Sequence, residues 1–212
     1  MANLLYVARH ANRQDFVDPT WPDRAERPND PGLSGDGIQQ AKKLGRRLRG
    51  ERVEQIFASP YLRTTETAHY VSEELHLPIR LEPGLGEWLN PEWFEDHPEL
   101  LPPERLAMRL HRSDLDYVPQ VVPEFSESEE EAEARAHETA RRLVDRYGGQ
   151  ILLIGHGVSV AGVAKGLNRD VERVICPVGS LTRLRKNETH WELDYTADIS
   201  HLEHEAAAGQ LS

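Results

Sequence analysis

The chain has 212 residues and a mass of 24.1 kDa, a size that suits one domain, or one core with a sizeable insertion. Its 36 acidic residues outnumber its 25 basic ones, and the net charge of -11 argues against a protein whose main task is to coat nucleic acid or an anionic membrane. The single cysteine, Cys176, rules out a disulfide within the chain, and neither a signal-peptide pattern nor an apolar run of roughly 20 residues is present, so we expect a soluble, cytoplasmic protein.

An apolar run near the N-terminus ends abruptly in basic residues. Residues 4–8 predict a strand that is buried on both faces, as in parallel sheets, and Arg9 and His10 follow at its carboxyl end, where open α/β sheets bind ligands. Arg9 presents a planar fork of donors that fits phosphate oxygens, and His10 has the chemistry of a nucleophile. Arg13 follows at a spacing that could turn a second guanidinium toward the same anion. Taken alone, however, the Arg-His pair is more often an ordinary charged strand end.

A proline-rich loop and an amphipathic helix come next. Residues 12–31 are irregular, as expected of a loop that shapes specificity beside a site. Ser34 is the predicted N-cap of the helix that follows, apolar residues recur at helical spacing up to Leu48, and Gly50 ends the helix.

The second predicted strand, residues 53–58, leads into a Ser-Pro step that starts another helix. Ser59 is the expected N-cap, with the proline in the first turn. Arg63 then lies near the helix N-terminus, where free N–H groups and the helix dipole already favour an anion. The alternative, which is the better one for this arginine in isolation, is a surface side chain close to Glu66 or Glu73.

A third short strand at residues 77–81 is followed by a turn-rich loop that carries Glu87. From there to residue 125 no strong periodicity appears. Because an irregular segment of this length inside a compact domain is usually functional, we expect residues 86–125 to form a cap, with short helices near 91–97 and 103–110.

The C-terminal half continues the alternation of helices and strands. A helix is predicted from residue 126 to about 147, and its acidic start matches the helix dipole. Residues 150–155 form a fourth buried strand that ends at His156, and a helix to about residue 167 follows. Residues 181–195 then predict an antiparallel hairpin.

The end of the chain, residues 201–212, is small and polar, and we expect a frayed tail. His201 and His204 have the spacing of a metal-binding pair, but no third ligand is evident. A solvated tail is the favoured interpretation.

The candidate residues share one position, because each follows the carboxyl end of a predicted strand. In an alternating β/α chain with right-handed crossovers these ends face the same side, so two histidines, two or three arginines and one carboxyl group should converge. Such a set supplies a nucleophile, a positive cradle for a transferring phosphoryl group and a proton donor for the leaving group. No cluster of metal ligands is evident, so we expect neither a metal ion nor another cofactor.

Four motifs at these positions resemble those of the histidine phosphatases, the superfamily with a phosphoglycerate-mutase-like fold. The resemblance covers about residues 3–195 and rests on Arg9-His10, Leu33-Ser34…Gly37…Gln40-Ala41, Ser59-Pro60…Arg63…Thr67-Ala68 and Gly155-His156-Gly157. It implies an α/β protein of the three-layer α/β/α type, with a mostly parallel central sheet and one domain over residues 1–200 into which the cap is inserted.

The same resemblance implies roles for the candidate residues. His10 would be the phosphorylated nucleophile, and Glu87 would be the proton donor. Arg9, Arg63 and His156 would complete the phosphate pocket.

The branch of the family can be narrowed from neighbouring residues. Ala11 replaces the signature glycine and adds one methyl group beside the nucleophile. Arg13 is similar to an extra phosphate-binding arginine of the acid phosphatases and of the phosphatase domains that suppress T-cell-receptor signalling. Residues 82–88 and 126–128 resemble stretches of the latter group and of the ecdysteroid-phosphate phosphatases. The Glu-Ser-x-Trp-Asn continuation that mutases carry after the histidine is absent.

Three classes of function remain open: a metal-independent phosphatase that works through phosphohistidine, a cofactor-dependent phosphoglycerate mutase, and a phosphate-binding module without turnover. We favour the phosphatase, because the mutase pattern is missing and the complete set of residues argues against a mere binder. Glu127, at the start of a helix, is a second candidate for the proton donor.

The sequence gives the least information about the substrate. Aromatic residues near the expected mouth fit an aryl or apolar phosphate ester, and they fit equally well a role in fixing the cap to the core; they are Phe16, Trp21, Trp88, Trp93 and Phe94. The expected partner is a small-molecule phosphate ester rather than nucleic acid or membrane. The oligomeric state stays open, a homodimer included.

Overall fold

A mixed sheet lies at the centre of the fold. The computed structural model describes residues 2–203, and within them the strands are β1 (Ala2–Arg9), β2 (Gln55–Ala58), β3 (Ile79–Leu81), β4 (Gly149–Gly155), β5 (Leu181–Lys186) and β6 (Trp191–Asp198). Their order across the sheet is β3-β2-β4-β1-β5-β6; the first four run parallel, and β5 and β6 add an antiparallel hairpin beside β1. The predicted α/β class with a mostly parallel sheet is confirmed.

Helices cover both faces of this sheet. They are α1 (Gln14–Val17), α2 (Trp21–Arg24), α3 (Gly35–Leu48), α4 (Leu62–Leu75), α5 (Pro103–Arg109), α6 (Glu129–Arg146) and α7 (Gly157–Leu167), with short 3-10 helices at Pro83–Leu85 and Ser200–Leu202. Tyr6 and Ala8 of β1 pack in one buried cluster with α3 and α4, whereas Leu5 and Val7 pack in a second with α6 and α7. Because successive strand residues face opposite layers, β1 must be apolar at every one of these positions.

The starts of α3 and α4 show where the local sequence is sufficient to predict a helix cap and where it is not. Ser34 caps α3 as predicted, since its Oγ accepts a hydrogen bond from the Gly37 amide at 3.2 Å. The predicted N-cap at Ser59 is wrong, because α4 begins at Leu62. There the side chain of Asp30, in the loop after β1, accepts a hydrogen bond from the Leu62 amide at 2.7 Å. Asp30 thus caps the helix although it lies 32 residues earlier in the chain.

The segment between residues 86 and 125 contains α5 and is otherwise built of turns. Leu106 of α5 is buried in the cluster that also contains α4, and the Ile79 amide and carbonyl bond to residues 112 and 114 at the edge of β3. Residues 91–97 form turns instead of the predicted short helix. The Asn90 side chain accepts the Glu92 amide at 2.8 Å, a local turn that competes with a helix start.

The last described residues pack against the domain. The His201 Nε2 lies 3.0 Å from the Gly179 carbonyl, and Lys43 of α3 donates to the Leu202 carbonyl at 3.2 Å. The rest of the tail expected to fray, His204 included, lies outside the described residues. Among residues 2–203, no helix combines the length and apolar character needed to cross a membrane.

Candidate active site

The parallel strands bring the predicted residues to one edge of the sheet. The His10 amide donates to the Gly155 carbonyl at 3.0 Å, so the residue after β1 lies beside the end of β4. The His10 and His156 rings are 5.4 Å apart between centroids, in an edge-to-face arrangement. The convergence expected from the strand ends is therefore present in the structure.

The segment after His10 is held by the start of α3. The Ser34 amide donates to the Asn12 carbonyl at 3.1 Å, and the Gln40 side chain accepts the Asn12 amide at 2.9 Å. Gly37 passes so close that a Cβ there would lie 2.0 Å from the Asn12 carbonyl oxygen, so this close approach requires glycine. The motif of α3 thus fixes the backbone next to the candidate nucleophile.

Ala11 fits its position without strain. It is fully buried, its amide donates to Thr67 Oγ1 at 3.1 Å, and its methyl packs with Leu33 and Ala41. Its φ lies outside the left-handed region that favours glycine. The methyl group that distinguishes this chain from the signature is therefore accommodated by a small apolar cluster.

His10 is arranged as a neutral imidazole with one free nitrogen. The ring is fully buried, and its Nδ1 lies 2.8 Å from the Ala11 carbonyl oxygen, which can only accept a hydrogen bond. That contact places the proton on Nδ1, and Nε2 has no hydrogen-bond partner within residues 2–203. Burial, followed by the positive charge of Arg63, holds the pKa of His10 well below its usual range. At neutral pH the Nε2 lone pair is free to attack.

Arg63 lies at the centre of the site. It is 2% exposed, which overturns the alternative of a surface arginine near Glu66 or Glu73. One nitrogen, Nη2, is 3.1 Å from Glu87 Oε2, while Nε and Nη1 have no partner in the part of the chain that the structure describes. A buried guanidinium with unpaired donors is costly unless an anion completes it.

His156 is buried between a hydroxyl and a carboxylate. Its Nε2 lies 2.9 Å from Ser59 Oγ, and its Nδ1 lies 3.2 Å from Glu87 Oε2. The same Nδ1 lies 3.2 Å from Nη2 of Arg63, which can only donate; because Nη2 is already paired with the Glu87 carboxylate, we assign the proton to Nδ1, with Ser59 donating to Nε2. Burial, with Arg63 adding to it and Glu87 opposing it, lowers the pKa of His156 to about 4. Sequence reasoning missed this role of Ser59, because the Ser-Pro step was interpreted as a helix cap.

Glu87 lies against the Arg63 guanidinium and the His156 ring. Its Oε2 contacts both Arg63 and His156, and its Oε1 accepts the Trp88 amide at 3.2 Å. Burial raises the pKa of this carboxyl, but the His156 contact and the Arg63 guanidinium outweigh it and hold the pKa well below its usual range. Glu87 is therefore an anion that occupies part of the cationic pocket.

The two remaining arginines lie farther out. Arg9 donates from Nη1 to the Cys176 carbonyl at 2.9 Å, and its buried Nε is unpaired within the described residues. Arg13 is paired with Asp15, with Nε 2.7 Å from Oδ1, and its guanidinium stacks 4.4 Å above the centre of the Phe16 ring. The structure thus brings Arg9 to the pocket and keeps Arg13 at its rim.

Glu127, the second candidate for the proton donor, points elsewhere. Its carboxylate is 2.8 Å from the Nε of Arg135, and it accepts the Leu89 amide at 3.1 Å. It therefore contacts the loop that carries Glu87 rather than the pocket groups.

At least three clefts among the described residues border Glu87. One of about 540 Å³ is bordered by Arg9, Arg13 and the first turn of α7, with the edge-to-face pair Trp88 and Trp93 as a wall. A second, about 280 Å³, shares Arg13 with the first and includes Arg63 and Phe94. A third, about 200 Å³, is lined mostly by apolar side chains. Three of the five aromatic residues singled out from the sequence therefore line the mouth. The other two do not: Phe16 lies under Arg13, and Trp21 donates to the Pro28 carbonyl at 3.3 Å.

The described residues do not form a metal site. Nowhere between residues 2 and 203 do three or more His, Cys, Asp or Glu side chains come together in a geometry that could hold a metal ion. The site within that range is instead built from arginine and histidine.

Comparisons with known proteins agree with this geometry. The profile of the "Histidine phosphatase superfamily (branch 1)" matches residues 5–199. The ecdysteroid-phosphate phosphatase of Drosophila melanogaster is 28% identical in an alignment of 207 positions that covers 80% of this chain and 27% of that protein. Human ubiquitin-associated and SH3 domain-containing protein A is 34% identical in an alignment of 153 positions that covers 66% of this chain and 23% of that protein.

A solved structure extends the likeness over the whole fold. The crystal structure of the ecdysone phosphate phosphatase from Bombyx mori, in complex with tungstate, superposes with a TM-score of 0.78 at 20% identity and covers 99% of this chain and 98% of that one. The phosphoglycerate-mutase-like fold and the likeness to ecdysteroid-phosphate phosphatases are thereby confirmed. The chain spans about a quarter of the length of the two curated relatives.

Proposed function

The chain belongs to the histidine phosphatase superfamily, and we propose that it is a phosphomonoesterase that works without a metal ion, through a phosphohistidine on His10. One observation carries the proposal: within residues 2–203, His10 Nε2, Arg9 Nε and two nitrogens of Arg63 are buried without a hydrogen-bond partner, and both arginines lie close enough to His10 to lower its pKa. A phosphoryl group offers oxygens to the donors and an electrophilic phosphorus to Nε2. It therefore complements all of these atoms at once.

In the first half-reaction, His10 Nε2 attacks phosphorus. The N–P bond forms as the bond from phosphorus to the ester oxygen breaks, and the electron pair of that bond leaves with the oxygen. Arg9, Arg63 and His156 stabilise the charge on the three remaining phosphoryl oxygens. Because the Ala11 carbonyl holds the proton on Nδ1, the nucleophile needs no base to activate it.

Glu87 supplies the proton that the departing oxygen needs. In the structure it is ionised, because it lies against Arg63 and His156. A phosphate dianion bound to the same groups removes that stabilisation and raises the pKa of Glu87, so the carboxyl takes up a proton as substrate binds. Glu87 then protonates the alcohol and, as a carboxylate, removes a proton from the water that cleaves the N–P bond. Inorganic phosphate leaves and His10 is restored.

Arg13 has a more distant part in the proposal. Its charge lies at the rim, shared with Asp15, so it attracts the phosphate and strengthens binding without contacting the reacting atoms as Arg63 does.

The substrate class is a small ester with an aryl or apolar alcohol. The indoles of Trp88 and Trp93 form one wall of the cleft beside Glu87, where the leaving group must lie to receive its proton. The ecdysteroid-phosphate phosphatase of Drosophila is named for the phosphate ester of a steroid alcohol, which supports the same class. A cytoplasmic location is part of the proposal, supported by the single cysteine.

A screen of phosphate release tests the function. The protein should release inorganic phosphate from some of about 50 simple and apolar phosphate esters, a breadth chosen because a fold alone says little about the substrate. Turnover should survive EDTA. Loss of turnover in EDTA that Mg²⁺ or Zn²⁺ restores would contradict the metal-independent mechanism, and activity only with phosphoglycerate and a bisphosphate primer would indicate a mutase instead.

A further inference from the structure

Arg135, on α6, lies beneath the loop that carries Glu87, and its donors bind that loop and Glu127. Its side chain is 7% exposed. Nη1 donates to the carbonyls of Gly84 and Gly86 at 2.9 and 3.3 Å, and Nη2 donates to the Glu87 carbonyl at 3.1 Å. Nε and the second Nη2 hydrogen bind the carboxylate of Glu127. All five N–H groups of the guanidinium are therefore paired, and none faces the phosphate pocket.

Neighbouring side chains complete the hold on this loop. Ser159 of α7 donates to the Leu85 carbonyl at 2.7 Å, so the carbonyls of residues 84 to 87 each accept a hydrogen bond from a side chain of α6 or α7. Glu127 binds the next two residues, since it accepts the Leu89 amide and its carbonyl accepts Trp88 Nε1 at 2.8 Å. The loop has no strand partner along these four residues, and its position depends on these contacts.

From this geometry we propose that Arg135, held by Glu127, is a positioning residue for Glu87, whose carboxylate it keeps against Arg63 and His156. The proposal rests on the proposed function only in taking Glu87 as the general acid. A guanidinium is required because its planar fork reaches three carbonyls and one carboxylate together, whereas an ammonium group has three donors on one atom. A displacement of Glu87 by about 1 Å is enough to cost a catalytic group about 100-fold in rate.

The opposing hypothesis is that Arg135 only stabilises the fold, as a buried ion pair often does. The test compares R135K and E127Q with R141K, a control on the exposed face of the same helix, where Arg141 pairs with Glu138. For an alkyl phosphate we expect R135K to lower kcat about 10- to 100-fold, E127Q to lower it less and R141K to leave it unchanged.

The effect of R135K in an E87Q background distinguishes a positioning role of Arg135 from a purely structural one. In an E87Q background, R135K should lower kcat by no more than about twofold further, because the group it positions is already lost. An equal loss in both backgrounds, or wild-type kcat for R135K, would overturn the proposal. Thermal unfolding of each variant shows whether it is folded at the assay temperature, and E127Q provides the same comparison if R135K does not fold.

A measurement without turnover keeps this proposal separate from the proposed function. The carboxyl carbon of Glu87 can be followed by NMR with labelled glutamate, and its signal is assigned by its loss in E87Q. In R135K the pKa of Glu87 should rise toward its ordinary value, because the carboxylate moves away from Arg63 and His156. An unchanged titration overturns the positioning role. Absence of phosphate release by the wild-type protein from every ester would instead count against the proposed function alone.

Discussion

Replacement of Glu87 by glutamine should make the pocket bind a dianion more tightly, although it removes the proposed proton donor. The Glu87 carboxylate lies 3.1 Å from Nη2 of Arg63, so it competes with any anion for that guanidinium. Two unit charges about 5 Å apart repel each other by about 3 kcal/mol at an effective dielectric constant of about 20. Glu87 is 18% exposed and can turn toward water, which relieves part of this repulsion. We therefore expect sulfate to bind E87Q about 10- to 100-fold more tightly than the wild-type protein at pH 7.

The pH dependence of sulfate binding shows whether Glu87 takes up or releases a proton when the anion binds. The pKa of Glu87 is depressed in the free protein and rises when a dianion binds, so binding takes up a proton and weakens as the pH increases. His156, with a pKa of about 4, also gains proton affinity when the dianion binds, and the loss of the Glu87 charge in E87Q lowers the pKa of His156 further. The difference in proton uptake between wild type and E87Q therefore reports Glu87 together with its effect on His156. The advantage of the variant should shrink as the pH falls below the raised pKa of Glu87 in the complex, because protonation of the wild-type carboxyl on binding then costs less free energy.

Isothermal titration calorimetry in buffers of different ionisation enthalpy measures both quantities. Sulfate is the probe, because it stays a dianion over the assay range and adds no titration of its own. The E130Q variant is the control, since it removes one negative charge from an exposed position on α6. Equal affinity and equal proton uptake in wild type and E87Q would refute the account of Glu87 as an ionised occupant of the pocket.

Three further predictions follow from the same geometry. H10A should lose essentially all turnover, and a quenched wild-type reaction should yield an alkali-stable, acid-labile phosphoryl label on the peptide that contains His10; a label on His156 would reverse the assignment. R13A should raise KM about 10-fold and leave kcat largely intact, the lower end of the effect of a charged hydrogen bond, because Arg13 is shared with Asp15; a collapse of kcat would place it among the reacting groups. S34A should destabilise the protein by about 1 kcal/mol, or roughly 2–4 °C in a thermal melt, because the Gly37 amide loses its cap; an unchanged melt would show that solvent replaces the cap.

Local patterns were sufficient for the framework of the fold. β1, β2 and β4 are short apolar runs bounded by polar residues. A strand that is buried on both faces must be apolar at successive positions, because each face packs against a layer of helices. The strand ends then followed from parallel topology, which placed His10, Arg63 and His156 at one edge. Ser34 could be identified as a cap because its hydrogen bond spans three residues.

Contacts between distant parts of the chain could not be predicted from local sequence patterns. Asp30 replaces Ser59 at the start of α4 from 32 residues away, and Arg135 reaches four backbone and side-chain partners between 8 and 51 residues away. Each of these pairings depends on which segments the sheet and helices bring together, and several acidic or basic residues would satisfy the same local pattern. The residues at the ends of the strands follow from the sequence, because apolar side chains with the spacing of buried strands mark where each strand stops. The partner of each charge follows from the tertiary structure, because the energy of a buried charge depends on the atoms within a few ångströms of it rather than on its neighbours along the chain.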